Sequence, residues 1–413
     1  FAQAQVASSP FTKWGIGDLY SNGIAQHQGM GGIGISNPSY WYLNSQNPAL
    51  LVYNRWTVFQ GGMQIEKRSE SDGTNTQSFA SGNLNYLAMA FPVVFRKWTT
   101  SVGLTPYSHV NYNLSYPEPI LGSNIIVNVV TKGSGGINQF YWANGVAINR
   151  YLSIGVKASY LFGSIVTQGS NLYTISVPTV ESTYVRDYYR GLNLTAGISF
   201  RKDSLFGKKF QFNAGLIYSW KSTVNTQHFL RYESKLLSGQ TLDSATVVNN
   251  VQGTMVLPQN YGVGLSFGRM ERWTVGGDFT YLDNRTYTGP LYGSINAPPK
   301  NGIIVQPYVG FRTGVGAEIT PKSEDFTNYL NRVTYRIGAT FERSPFLVGG
   351  YSWNDAGGTF GFSLPVGRIS TVDLSLKIGR RGTISQNSIE ENYFRIYFGV
   401  TFGDQWFIKR KFD

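Results

Sequence analysis

Residues 392–402 read NYFRIYFGVTF. Phe394, Ile396, Phe398, Val400 and Phe402 alternate with Arg395, Tyr397, Gly399 and Thr401. One face is wholly apolar; the other carries a guanidinium, a phenol, a glycine and a hydroxyl. A period of two is strand geometry, and opposite chemistry on the two faces means a different solvent on each side. The pattern recurs towards the N-terminus. In 151–166, Leu152, Ile154, Val156 and Ala158 oppose Ser153, Gly155, Lys157 and Ser159; in 209–228, Phe210, Phe212 and Leu216 oppose Gln211, Asn213 and Gly215.

Further strands are predicted at 55–68, 83–95, 98–112, 135–149, 184–201, 254–268, 273–288, 308–320, 333–348, 359–366 and 370–383. The series comes to about 14 strands, an even number as in single-chain outer-membrane barrels. The fold class expected is therefore all-β: a transmembrane antiparallel β-barrel with an N-terminal plug, or hatch, segment. Short connections (Arg96-Lys97, Arg150, the turn near Asp203, 269–272, 367–369) alternate with long ones (70–82, 113–134, 167–183, 229–253, 289–307). Outer-membrane barrels have this asymmetry, with the long loops outside the cell. The connection 321–332 is a long one on the short-turn side.

Composition agrees. Of 413 residues 15% are aromatic and only 14% charged, with 48 glycines. No apolar run approaches the ~20 residues of a membrane helix, which excludes a helical inner-membrane protein. There is no cysteine, hence no disulfide framework, thiol nucleophile or cysteine metal site. His27, His109 and His228 are scattered and match no metal spacing, so neither a metal nor a cofactor is expected. No nucleophile elbow or catalytic triad is readable, so the chain is read as a non-enzyme.

The net charge of +12 invites a nucleic-acid reading, but the distribution opposes it. Arg96, Lys97, Arg150, Arg201, Lys202, Lys208, Lys209, Arg269, Arg272, Arg332 and Arg368 fall on the short-turn rim, and Lys409, Arg410 and Lys411 on the tail after it. A basic ring at one membrane face suits anionic lipid headgroups or a periplasmic partner rather than nucleic acid.

Residues 1–54 do not alternate. They are expected to form the plug inside the barrel, with 55–403 as the barrel and 404–413 as a basic periplasmic tail. The opening FAQAQ reads as the remnant of a signal-peptide cleavage region. Gly29, Gly31, Gly32 and Gly34 in GMGGIGI permit close backbone approach, and Asn47, Pro48 and Ala49 follow. On the inward faces Lys157, Asp278, Arg312, Glu318, Arg336, Glu342, Asp373, Lys377, Arg381 and Arg395 are expected to form a ladder of ion pairs, Asp278 and Arg312 lying on neighbouring strands. The strand at 83–95 is apolar on both faces near its middle, and Pro106 interrupts the next one. Leu87, Met89 and Phe91, read as inward beside Pro106, are the candidate ligand-binding patch for an acyl chain; packing against the plug is the other reading.

GMGGIGI followed by NPALLVY at 47–53 resembles the hatch of FadL-type outer-membrane proteins. SSPFTKWGIGDL near the start and NYFRIYFGVTFGDQWFIKRKFD at the end resemble FadL-like barrels of the Bacteroidota, the fatty-acid transporter and PorV-like group. The resemblance implies a 14-stranded plugged barrel in the bacterial outer membrane. It implies uptake of hydrophobic compounds such as long-chain fatty acids or, alternatively, a non-conducting subunit of an outer-membrane protein secretion or assembly machine. The partners expected are outer-membrane lipids with either hydrophobic small molecules or other outer-membrane or periplasmic subunits.

Overall fold

The computed structural model describes residues 7–20, 23–119, 126–172, 179–205, 210–236, 238–269, 272–291, 305–325, 327–367 and 369–404. The expected cleavage remnant, Lys208, Lys209, Arg368 and the basic tail beyond Asp404 lie outside the described residues.

Fourteen antiparallel wall strands close on themselves. They are β1 (Thr57–Ser71), β2 (Thr76–Val94), β3 (Trp98–Pro119), β4 (Ile126–Ala147), β5 (Leu152–Leu172), β6 (Thr179–Leu205), β7 (Phe210–Ser219 continued by Ser222–Leu236), β8 (Thr241–Leu257 continued by Asn260–Arg269), β9 (Trp273–Asp283), β10 (Val309–Ile319), β11 (Thr334–Arg343), β12 (Asn354–Pro365), β13 (Thr371–Arg381) and β14 (Glu390–Asp404). Pairing of β1 with β14 from Thr57↔Asp404 to Ser71↔Glu390 closes the cylinder. This pairing leaves neither terminal strand with a free edge, as a strand-built membrane structure requires.

Alternation sets the faces. On β14 Phe394, Phe398 and Phe402 are exposed while Tyr393, Tyr397 and Thr401 are buried. The exposed face continues through Leu192, Ile198, Leu216, Leu265, Val315, Ile337 and Ile378. An apolar exterior over a polar interior inverts the soluble pattern and matches a wall facing hydrocarbon.

The barrel is lopsided. β3 has 22 residues and β6 has 27, against 11 in β10 and 10 in β11. Much of what the sequence presents as long loops is strand: 107–119 pairs with 126–137, and 222–236 with 241–257. Near the wall these extensions bury one face, with Val110, Tyr112, Ile137, Val224 and Met255 in one apolar cluster, whereas Thr241–Val247 is exposed throughout. A strand wetted on both sides has no reason to alternate.

One seam is incomplete. β2 and β3 pair only from Leu87↔Leu104 to Val94↔Trp98. Above it β2 continues on β1, and β3 continues on β4 with a register shift between Pro106 and Ser108. Pro106 offers no ladder N–H, so a bulge is the expected adaptation.

Candidate functional site

The chain's own N-terminal segment touches all fourteen wall strands. Ala25 N–H donates to Tyr86 Oη of β2 and Leu43 N–H to Gln60 Oε1 of β1. Ser9 N–H donates to Asn111 O of β3. Pro48 abuts β4 at Gly145; Ser153 of β5 donates to Ala49 O. Asn47 Nδ2 donates to Ile198 O of β6, Ile35 O abuts Gly215 of β7, and Ser266 of β8 donates to Ser36 O. Asp278 of β9 accepts from Gly34 N–H and Ile35 N–H, both at 2.7 Å. Gly31 lies against Gly314 of β10 and Gly338 of β11 and donates to Thr359 Oγ1 of β12 at 2.9 Å. Ser375 of β13 donates to Ala25 O, and Gln26 Nε2 to Thr401 Oγ1 of β14. These contacts run round the whole circumference of the cylinder.

The local sequence explains the fit. Gly31 and Gly32 have φ of +70° and +78°, which L side chains rarely adopt. Asn47 caps the 3-10 turn Pro48–Tyr53, its Oδ1 accepting from Ala49 N–H at 3.0 Å, while its Nδ2 reaches Ile35 O. A side chain at Gly314 would overlap Gly31 O, so wall and segment approach backbone to backbone. Gly314→Leu is therefore expected to expel the Gly29–Ile35 stretch while leaving the wall intact. The measurement is limited proteolysis: cleavage confined to the N-terminal segment, with the heat-modifiable barrel band retained.

Most inward charges are spoken for. Arg312 and Glu342 make a bidentate pair at 2.9 Å, directly opposite in register. Arg336 pairs with Glu318 at 3.0 Å, and Arg395 with Glu66 at 3.0 Å. Arg381 grips Asp18 of the N-terminal segment through both terminal guanidinium nitrogens. Asp373 accepts from Gln26 Nε2 at 2.7 Å, and Lys157 donates to Ser45 O at 3.2 Å. The expected Asp278–Arg312 pair does not form. Arg312 lies opposite Thr280, two residues along, and Asp278 serves the N-terminal backbone instead. Burial, with Arg336 nearby, holds the His27 imidazole down at about 3, so it is neutral. Among the described residues no group of three or more His, Cys, Asp or Glu could hold a metal.

Between the segment and the short-strand side a cavity of about 260 Å³ remains. Its lining includes apolar Phe11, Ile16, Leu257, Leu282, Phe346 and Trp353 and charged Asp18, Asp278, Arg312, Glu342, Asp355, Lys377, Arg381 and Arg395.

A family model described as BamG matches residues 1–413. The chain belongs to the BamG family. No curated protein matches the sequence. Solved structures share the fold of this BamG-family chain at low identity. The CymD monoaromatic hydrocarbon channel is 12% identical with a TM-score of 0.58, the alignment covering 94% of this chain and 99% of that one. The toluene transporter TodX of P. putida is 14% identical with a TM-score of 0.58, covering 95% and 100%. A FadL homologue of Pseudomonas aeruginosa is 11% identical with a TM-score of 0.55, covering 97% and 99%. The BamG-family chain is thus a FadL-type barrel in architecture.

Gly29, Gly31, Gly32, Gly34, Asn47, Pro48 and Ala49 all lie in the N-terminal segment that contacts the wall. The expected acyl patch is turned the other way. Leu87 is 48% exposed on the outer face, paired with exposed Leu104. Met89 pairs with exposed Phe59, and Phe91 shares their parity; Tyr86, Ala88 and Ala90 face inward. Asn85 is an extra residue in β2, since Gly62 pairs with Tyr86 but Met63 with Leu84. One inserted residue inverts every side chain beyond it. Pro106 lines a small recess with Asn85, Tyr86 and Lys157, not with Leu87. Sequence reasoning passed over Asp18, Glu66, Arg68, Asp355 and Glu391. Glu66 and Arg68 share the parity of Gln60 and Gln64 on β1, which was the available signal.

Proposed function

We propose that this protein is an outer-membrane barrel whose lumen is closed by residues 1–54, and that it serves as a non-conducting subunit of an outer-membrane protein secretion or assembly machine. One observation carries the reading: the N-terminal segment is bonded or packed against every wall strand, and buried charges are spent on holding it. Asp278 alone satisfies two backbone N–H groups, and each hydrogen bond to a charged group contributes ~1.5–3 kcal/mol. An apolar solute would have to displace these contacts and slide past Arg312, Glu342, Asp355 and Lys377. The exposed apolar belt supports the membrane location, and the basic short-turn rim offers a periplasmic surface to partners.

A second reading is uptake of hydrophobic compounds, with long-chain fatty acids as candidates. The feature in its favour is the β2–β3 seam. There Asp18–Leu19 pairs with Ser108 and His109, and Asn83 Nδ2 donates to Tyr20 Oη at 2.7 Å. Residues 18–20 thus fill the gap in the wall, and their movement would leave a lateral path.

Purification of the tagged full-length protein from its native outer membrane in mild detergent tests the proposal. Other outer-membrane or periplasmic chains should be retained in fixed ratio through size-exclusion chromatography. A protein that purifies alone and binds a long-chain fatty acid by calorimetry would favour uptake instead.

A further inference from the structure

On the short-turn rim β10 and β11 are joined by a longer connection, described at residues 320–325 and 327–333. Its ends are tied by Lys322 N–H donating to Asn331 O at 2.7 Å. Asp325 organises the interior: Oδ1 accepts from Thr327 N–H, Thr327 Oγ1–H and Asn328 N–H, and Oδ2 accepts from Asn331 Nδ2 at 2.8 Å. Asn328 then caps a 3-10 turn, Tyr329–Arg332, its side chain accepting from Leu330 N–H. These bonds fix the turn Tyr329–Arg332, and two large apolar side chains project from it among otherwise polar exposed residues: Leu330 is 63% exposed and Tyr329 46%.

The position of the turn follows from two hydrogen bonds. Tyr335 lies opposite Ile319 and Phe362, both exposed, and so belongs to the outer face of the wall. Its hydroxyl donates to Leu330 O at 3.1 Å. The Tyr329 hydroxyl reaches sideways to Pro365 O at the end of β12. The turn is therefore held against the outer perimeter of the rim, not below the lumen. Leu330, Tyr329 and the exposed Val366 extend the apolar belt at its edge, while Lys322 stands in water beside them. Tyrosine at the edge of an apolar belt with a lysine outside it is the pattern of a membrane–water interface.

We propose that the turn Tyr329–Arg332 is an interfacial anchor: Leu330 and Tyr329 enter the periplasmic leaflet of a phospholipid bilayer, and Lys322 meets its headgroups. The proposal rests on the reading that the barrel spans a membrane. Continuity with the lipid-facing wall selects lipid, rather than a protein partner, as the occupant.

The absence of cysteine allows a direct test. Single nitroxides are placed at Leu330→Cys, at Ser323→Cys, an exposed polar residue of the same connection, and at Phe398→Cys in mid-wall. The labelled full-length protein is reconstituted in phosphatidylethanolamine–phosphatidylglycerol vesicles. The ratio of collisions with oxygen to collisions with a water-soluble nickel chelate is read for each label. At Leu330 it should be several-fold higher than at Ser323 and lower than at Phe398. Adding Tyr335→Phe, which removes the hydroxyl bonded to Leu330 O, should shift the Leu330 ratio towards that of Ser323. A Leu330 ratio equal to that of Ser323 would overturn the anchor, and so would shielding from both reagents, which would mean a protein covers the turn. If Phe398 also reads as water, the membrane-spanning reading falls and the anchor with it.

Discussion

Deleting residues 7–40 is expected to raise single-channel conductance in a planar bilayer by roughly tenfold or more, towards the behaviour of barrels of 16–18 strands that leave an aqueous channel. The deleted stretch supplies Gly31 against β10 and β11, the two N–H donors on Asp278, Gln26 on Asp373, and Asp18 on Arg381. Removing it exposes an inner face lined with Arg312, Glu342, Arg336, Glu318, Lys377 and Asp355, which water and ions wet readily. The wall should survive, because its ladders run strand to strand and are independent of the segment. The intact protein should show only small or rare events in the same experiment. Equal conductance of intact and deleted protein would mean that residues 7–40 do not close the pore, and the subunit reading would lose its main support. Retained fatty-acid binding by the deleted protein would further place any ligand site on the wall alone.

The architecture was readable because lipid imposes a strict rule. A β14 residue facing hydrocarbon must be apolar, so Phe394, Phe398 and Phe402 mark one face unambiguously. The strand count followed. Two things were illegible for physical reasons. Where both faces of a strand meet water, as along 241–247, nothing enforces a period, and the hairpin reads as a loop. Where a bulge inserts one residue, as at Asn85, parity counting assigns Leu87, Met89 and Phe91 to the wrong face. Side-chain parity carries no marker of an insertion, since Asn83, Asn85 and Leu87 look continuous in sequence. The inward charges were visible individually, but their partners were not. Asp278 could be matched to Arg312 only if register were known; a shift of two residues sends Arg312 to Glu342 and Asp278 to the N-terminal backbone.

The same logic of commitment appears in the buried cluster at the long-loop end of β1. Arg68 is 0% exposed, its Nε donating to Glu66 Oε1 at 2.7 Å and its Nη1 to Glu391 Oε2 at 2.6 Å. Arg395 completes Glu66, and Ser9 Oγ–H of the N-terminal segment donates to Glu391 Oε1 at 2.6 Å. Two guanidinium groups and two carboxylates thus form a neutral set joining β1, β14 and the segment. Arg68→Ala would leave Glu391 buried with Ser9 as its remaining direct partner, and an uncompensated buried charge costs ~3–5 kcal/mol. That loss should appear as a lowered urea midpoint for the protein refolded in lipid vesicles, read from its tryptophan fluorescence. Arg68→Met combined with Glu391→Gln removes one charge of each sign, keeps the acceptor for Ser9 and leaves Glu66 with Arg395. It should recover most of the loss, because replacing a buried pair by groups of similar volume is often neutral or stabilising. The difference between the double variant and the sum of its single variants isolates the coupling. If Arg68→Ala stays within about 0.5 kcal/mol of the parent, as ordinary surface substitutions do, water reaches the cluster, and the end of the lumen beside β1 is open rather than sealed.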